Sequence, residues 1–239
     1  MTRRRVATWL AALAVYGAAT AVLGRDVWRQ LDTAIIGPGD SDNFYCSWSI
    51  WEFRRALLGG HLPRFTHDVY GHAAAGVPIF VEGFADHLVA LPRQSFLAPV
   101  GAYDVTVLLG FVLAAPAMHL LSSEFTESWT ARVVAGLVFS FSTYHLARAL
   151  GHLGLATIEV LPFCAWALMV LPRRSTRRAA VLAGAGAGLV PWAAVNYVPY
   201  FLVPFLLLAA GTLLAHRAWV TSRRNAALRR SRRKVRAST

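Results

Sequence analysis

Six apolar stretches, each close to the length of a membrane-spanning helix, constrain this chain more than any other feature. A helix needs about 20 mainly apolar residues to cross the hydrocarbon core of a bilayer. Hydrophobic residues make up 56% of the 239 residues and charged residues only 15%, which argues against a soluble enzyme and against disorder. We therefore predict an all-α polytopic membrane protein, a transmembrane helix bundle with spans at 6–23, 105–121, 130–146, 153–171, 179–195 and 198–215.

Basic residues indicate which side of the bundle is cytoplasmic. Arginines lie at 3–5 and in the loop 173–178, and more basic residues fill the tail 216–239. Because Lys and Arg beside a span stay in the cytoplasm, we expect an integral protein of the cytoplasmic membrane with both termini inside. The first stretch also resembles a secretory signal peptide, but its long apolar core and the five following spans favour an uncleaved helix.

A protein with a net charge of +12 can bind either of two kinds of anionic partner, nucleic acid or membrane lipid. The basic residues flank apolar segments and no nucleic-acid module is visible, so the expected partner is lipid and not nucleic acid. The chain then divides into a membrane region, 1–215, and a basic cytoplasmic tail, 216–239. The tail is expected to lie on anionic lipid or to act as a topogenic signal.

This orientation leaves the long loop 24–103 on the outer face, and most of the acidic residues lie in it or beside it. Within the loop, Phe44, Trp48, Trp51 and Leu58 recur near helical spacing, and a Gly-Gly pair follows. Because Trp favours the lipid headgroup zone, we expect this helix to lie flat on the outer membrane surface.

A polar turn, G-P-G-D-S-D-N at 37–43, precedes this interfacial helix. In a semi-dry cleft a carboxylate such as Asp40 or Asp42 can act as a general base on an incoming hydroxyl, and two can share a divalent cation. A simpler interpretation is that Ser41 or Asp42 caps the helix while Gly and Pro form the turn. The two roles are compatible.

Histidines 61, 67, 72 and 87 share the outer loop with Asp68 and other carboxylates. Their spacings match no standard metal motif, so we interpret them as loop histidines. No metal ion and no other cofactor is predicted.

A second polar group lies between the third and fourth spans. Arg148 and His152 there, with Tyr144 and His145 nearby, are placed to bind a lipid phosphate. Ordinary interfacial anchoring explains the same residues equally well.

Two features inside the predicted spans also call for an explanation. Glu159 lies in the fourth span, where a charge is expensive, so we expect a role facing the bundle or a cavity; the alternative is a protonated glutamate bonded to a neighbouring helix. Gly184 and Gly188 form a G-x-x-x-G spacing in the fifth span, with Gly186 between them, which favours close helix packing.

Several motifs occur in a characteristic order along 1–215: G-D-S-D-N-F at 39–44, Trp48, Trp51, F-R-R-A-L-L at 53–58, H-D-V-Y at 67–70, F-S-F-S-T-Y-H-L-A at 139–147, G-H-L at 151–153 and N-Y at 196–197. Together they resemble the N-terminal half of GT-C-fold membrane glycosyltransferases. The resemblance is to polyprenyl-phosphate-sugar-dependent enzymes related to protein mannosyltransferases.

The resemblance implies a hexosyltransferase of the cell envelope that moves a sugar from a polyprenyl-phosphate donor to an acceptor hydroxyl. An aspartate of the first outer loop is the base in that family, a role that falls on Asp42 first and Asp40 second. Arg148, His152, Asn196 and Tyr197 are weaker candidates for the donor headgroup, assigned by side and depth. Asp68 and Glu159 remain further candidates.

Members of that family have more helices than this chain, often with a soluble outer domain. The resemblance therefore implies a truncated enzyme, or one half of a two-chain enzyme with a second chain supplying the missing helices. The alternative from another class is a non-catalytic polytopic protein, either a transporter fragment or an assembly subunit.

Overall fold

A computed structural model describes residues 3–63, 65–66, 77–78, 83–174, 176–215, 218–219 and 221. The helices are α1 Arg3–Leu23, α2 Arg25–Arg29, α3 Asn43–Leu58, α4 Phe84–Ala90, α5 Pro99–Ser122, α6 Trp129–Ser140, α7 Thr143–Ala149, α8 Leu153–Ala156, α9 Val160–Arg174, α10 Arg177–Ala193 and α11 Val198–Ala215. A 3₁₀ turn covers Arg93–Ser95, and α11 opens with a π-helical turn at Val198–Leu202. Strands β1 Phe65–Thr66 and β2 Val77–Pro78 pair antiparallel, with Phe65 opposite Pro78.

In the part of the chain that the structure describes, three helices are long and apolar enough to cross a membrane: Arg5–Leu23 in α1, the whole of α5, and α11. The prediction of a helical membrane protein is confirmed to that extent. The helix predicted from the aromatic spacing is also present, as α3, and it ends at Leu58, directly before the Gly-Gly pair. Most of the predicted tail, 216–239, lies outside the described residues.

The third predicted span, 130–146, is not one helix, and that part of the prediction is wrong. α6 ends at Ser140 and α7 begins at Thr143, because side chains at the junction satisfy the backbone groups that a break leaves open. The Ser140 hydroxyl donates to the Phe111 carbonyl at 2.7 Å, and Ser142 accepts a hydrogen bond from the backbone N–H of His145. Serine caps of this kind compete with a continuous helix.

The fourth predicted span, 153–171, is broken as well, with no helix at 157–159 between α8 and α9. Pro162 lies in the first turn of α9, where its missing N–H costs nothing. Its ring would clash with the carbonyl of Ile158 if the helix continued backward. The fourth predicted span therefore consists of a short helix, α8, and a longer apolar helix, α9.

α9 and α10 pack closely through one small residue. A Cβ added to Gly186 would lie 3.1 Å from the Cys164 Cα, whereas one added to Gly184 or Gly188 would meet no atom within 4 Å. The small-residue prediction is therefore confirmed for Gly186 only. The G-x-x-x-G pair faces away from α9.

The first loop is tied to the start of α5 by two carboxylates. Asp32, which has a φ of 66°, accepts a hydrogen bond from the Ala98 backbone N–H at 3.0 Å. The backbone N–H of Ile36 donates to Asp104 at 2.9 Å. Gly101 has no alternative here, because an added Cβ would lie 2.0 Å from Asp32 Oδ1. These contacts fix the position of the turn that carries Asp40 and Asp42.

Candidate functional site

The polar turn before α3 interlocks with the connection between α7 and α8. Gly37 has a φ of 106°, and an added Cβ would lie 2.0 Å from the Leu150 carbonyl oxygen. On the facing segment, a Cβ added to Gly151 would lie 2.8 Å from Ser41 Cβ. The Ser41 hydroxyl lies 3.2 Å from the Leu150 carbonyl. These two glycines therefore allow the polar turn at 37–43 to touch the α7–α8 connection, which lies more than 100 residues further along the chain.

This contact brings Asp42 to His152. Nδ1 of His152 lies 3.2 Å from Oδ2 of Asp42, and the two side chains are 43% and 67% exposed. Asp42 occupies the N-cap position of α3, but its side chain accepts no capping hydrogen bond, so the expected capping bond from Ser41 or Asp42 is wrong for this helix. Because no cap uses the carboxylate, it is available at the surface. Asp40 lies two residues earlier and is also exposed.

Arg148 lies in the same turn as His152, whose backbone N–H donates to the Arg148 carbonyl at 2.8 Å. Its guanidinium lies 5.5 Å from the ring centre of Tyr144, within the range of a cation–π contact. The Tyr144 hydroxyl lies 3.3 Å from that of Tyr197, which also donates to the Leu155 carbonyl. Tyr197 is buried and Asn196 is exposed.

Three of the four candidates for the donor headgroup, Arg148, His152 and Tyr197, thus lie along one connected series of contacts, but they differ in accessibility. Asn196 precedes Tyr197 in the chain. Arg148 and His152 are half-buried with polar groups at the surface. Tyr197 is used to hold α11 against the α8 segment, so it supports the site and does not line it. Burial raises the pKa of the Tyr197 hydroxyl, which keeps it neutral.

A second polar layer lies beneath the surface, between α4 and the break before α9. Asp86 Oδ2 lies 2.5 Å from the Thr157 hydroxyl, which also lies 3.0 Å from the Leu153 carbonyl. A hydroxyl has one hydrogen and cannot donate to both acceptors. Both contacts are satisfied when a neutral Asp86 donates to Thr157. Burial raises the pKa of Asp86 from 3.8 to about 7, in agreement with that assignment.

The neighbouring His87 is a structural residue. Its Nδ1 donates to the Gly83 carbonyl at 2.8 Å, and its Nε2 lies 3.0 Å from the Ser49 hydroxyl. Burial lowers the pKa of this imidazole, which favours the neutral form. Of the other loop histidines, His61 is exposed, and the remaining two lie outside the described residues, as does Asp68.

Two further polar residues, Glu159 and His145, lie beside Gly110 of α5. Glu159 is half-buried, and its Oε2 has no hydrogen-bond partner. His145 is fully buried, although the sequence suggested the headgroup level for the segment that carries it. The break between α6 and α7 explains the difference, because it turns His145 inward onto α5.

Sequence analysis missed the pairing of Asp86 with Thr157. The two residues lie 71 positions apart, and neither belongs to a motif, so no local signal links them. Gly83 is the one available hint, since its φ of 72° favours a glycine and an added Cβ would lie 2.6 Å from Asp86 Oδ2.

Comparisons with family models, with curated proteins and with solved structures find no match to this chain.

Proposed function

We propose that this protein is a glycosyltransferase-like enzyme of the cytoplasmic membrane, with six spans and both termini in the cytoplasm. It would transfer a sugar from a polyprenyl-phosphate donor to an acceptor hydroxyl on the outer face, with a second chain supplying further helices. The observation that carries the proposal is the state of Asp42. Its carboxylate is exposed, unused as a helix cap, and held beside His152 and the turn of Arg148.

In the proposed reaction the Asp42 carboxylate accepts the proton of the acceptor hydroxyl. The hydroxyl oxygen attacks the anomeric carbon of the sugar, and the bond from that carbon to the phosphate oxygen breaks. The lipid phosphate leaves with the electron pair of that bond. General bases of this kind contribute about 100- to 10,000-fold to a rate. His152 holds the carboxylate in place from one side.

Arg148 is the proposed binding group for the donor phosphate. Its guanidinium is planar and permanently charged, which suits two-point contact with phosphate oxygens. The stack on Tyr144 restricts the guanidinium before any ligand binds. Ordering the side chain in advance reduces the entropy that binding would otherwise cost.

The exposed face of α3 supports a position at the membrane surface. Phe44 is 54% exposed, Trp51 37% and Leu58 73%, while Asn43 and Ile50 are buried on a neighbouring face of the helix. Aromatic residues exposed beside polar ones are typical of a helix at the headgroup level. Such a helix would hold the adjacent Asp42 close to a lipid-borne donor.

The test is sugar transfer from a labelled polyprenyl-phosphate donor, measured in membranes that contain the protein. We compare the wild type with Asp42→Asn, and we use Asp26→Asn as a matched control because Asp26 is 62% exposed and also ion-paired. The proposal requires that Asp42→Asn loses transfer while Asp26→Asn keeps it. Equal transfer by all three proteins would remove Asp42 as the base.

A second function is favoured by one observation on α11. None of its most apolar window is buried against the described chain. A helix of this kind contacts lipid or another protein, which suits a non-catalytic assembly subunit or transporter fragment as well as a half enzyme. Wild-type protein that transfers no sugar, alone or in its native membrane, would favour this second function.

A further inference from the structure

The breaks in the third and fourth predicted spans meet at one point on α5, at Gly110. This glycine is the twelfth residue of the 24 in α5, about 17 Å from either end of the helix. A Cβ added there would lie 3.7 Å from His145 Nε2, and 4.0 Å from both Glu159 Oε2 and the Ala156 carbonyl oxygen. Three polar atoms therefore surround the space beside one glycine, deep in the apolar part of the bundle.

All three atoms are hydrogen-bond acceptors when Glu159 is ionised. His145 Nδ1 lies 2.6 Å from the Ser140 carbonyl, which can only accept, so Nδ1 carries the hydrogen and Nε2 carries none. The ring is fixed in this orientation by its stack on Phe111, at 3.9 Å between centroids. His145 Nε2 and Glu159 Oε2 are both shielded from solvent and make no hydrogen bond.

Buried acceptors without a donor are costly, and a net negative charge in this apolar part of the bundle is more so. One added proton removes both costs, because a neutral Glu159 can donate to His145 Nε2 through one water in the space beside Gly110. We propose that the paired breaks form a proton-binding site, in which Glu159 and His145 share one proton beside Gly110. This inference does not depend on the proposed sugar transfer.

The chemistry of the acceptors favours a proton over a metal ion. Hard cations take oxygen ligands, about six or more for calcium, and imidazole nitrogen suits transition metals instead. Among the described residues, no group of three or more His, Cys, Asp or Glu side chains is placed to hold a metal. A proton needs only the two atoms that the site already offers.

Other titratable groups surround the site and must be separated from it in any pH experiment. The nearest carboxyl is Asp86, which interacts electrostatically with Glu159. On the elements packed around these breaks, such groups include Cys46 of α3, Asp86 and His87 of α4, Tyr103 and Asp104 of α5, Tyr144 and Arg148 of α7, Cys164 of α9, and Tyr197 before α11. Helices α3, α5 and α6 also carry Glu52, His119 and Arg132.

The first test is the pH dependence of thermal unfolding of the purified full chain in an Asp86→Asn background. A folded state that keeps one proton beyond the unfolded state loses stability as pH rises, by up to about tenfold in the folding constant per pH unit. Glu159→Gln should abolish that loss through the neutral range, because its amide supplies the donor permanently. Glu124→Gln, a matched change just past the C-terminal end of α5, should keep it.

A second measurement covers the case in which these variants do not fold. Infrared spectra of the wild type with isotope-labelled glutamate should show the carbonyl band of a neutral glutamic acid at neutral pH, and the band should weaken at alkaline pH. Absence of that band, or an unchanged pH dependence in Glu159→Gln, would overturn the proposal. Stabilisation of the wild type by sodium that Glu159→Gln abolishes would also overturn it, since sodium would then be the ligand.

Discussion

Replacement of Gly37 by alanine tests whether the Asp42 turn is held in place by its contact with the α7–α8 connection. The change places a Cβ 2.0 Å from the Leu150 carbonyl oxygen. It also forces a residue other than glycine to adopt a φ of 106°. The backbone conformation alone costs about 1–2 kcal/mol for a residue other than glycine. Relief of the overlap moves the turn away and lengthens the 3.2 Å contact of the Ser41 hydroxyl with the Leu150 carbonyl. That hydroxyl also lies 2.9 Å from the Pro38 carbonyl and has one hydrogen, so the lost contact and the remaining overlap together cost about 1 kcal/mol.

We therefore expect Gly37→Ala to destabilise the folded protein by about 2–3 kcal/mol, or to release the turn if that costs less. The unfolding temperature in detergent should fall by roughly 4–12 °C for a chain of this size. Hydrogen exchange at residues 36–42 and 150–152 should rise at the same time. Gly39→Ala is the matched control, because its added Cβ meets no atom within 4 Å. Equal stability and exchange in the two variants would refute the interlocking contact.

Three further predictions concern other parts of the molecule. Because burial raises the pKa of Asp86 from 3.8 to about 7, the folded state keeps a proton that the unfolded chain loses in this window. This group alone should therefore lower the stability by up to about 4 kcal/mol as pH rises from about 4 to 7. Asp86→Asn should remove that part of the slope in thermal unfolding and leave the part due to the proposed Glu159–His145 site. Gly186→Val should destabilise the α9–α10 contact by about 1–3 kcal/mol, and Gly188→Val should have little effect, as measured by unfolding temperature. In a Cys164→Ala background, an impermeant thiol reagent should label Cys46 from outside intact cells; labelling only after the cytoplasm is opened would reverse the proposed orientation.

The helical class and the existence of α3 could be predicted because they follow from local pattern. A run of apolar residues in α1 or α5 has no other stable arrangement in a membrane. The aromatic spacing of α3 and the glycines after it define the helix and its end within a few residues of sequence. Each of these signals lies inside the element that it predicts.

The breaks at Ser140 and Thr157 could not be predicted in this way, because their cause lies in other elements. The Ser140 hydroxyl bonds to α5, and Thr157 bonds to Asp86 of α4. Such partners lie tens of residues away, and a hydropathy average over the same stretch still indicates one continuous span. The candidate site has the same origin, since the contact of Asp42 with His152 depends on the long-range fit of Gly37 against Leu150.

The rate of sugar transfer by Asp42→Asn relative to wild type is the direct test of Asp42 as the general base. Asparagine keeps the size of the side chain and its contact with His152 but cannot take the proton of an acceptor hydroxyl. With a labelled polyprenyl-phosphate sugar as donor, we predict a rate at least about 100-fold lower for Asp42→Asn and an unchanged rate for Asp26→Asn. Transfer by Asp42→Asn at the wild-type rate would show that Asp42 is not the base.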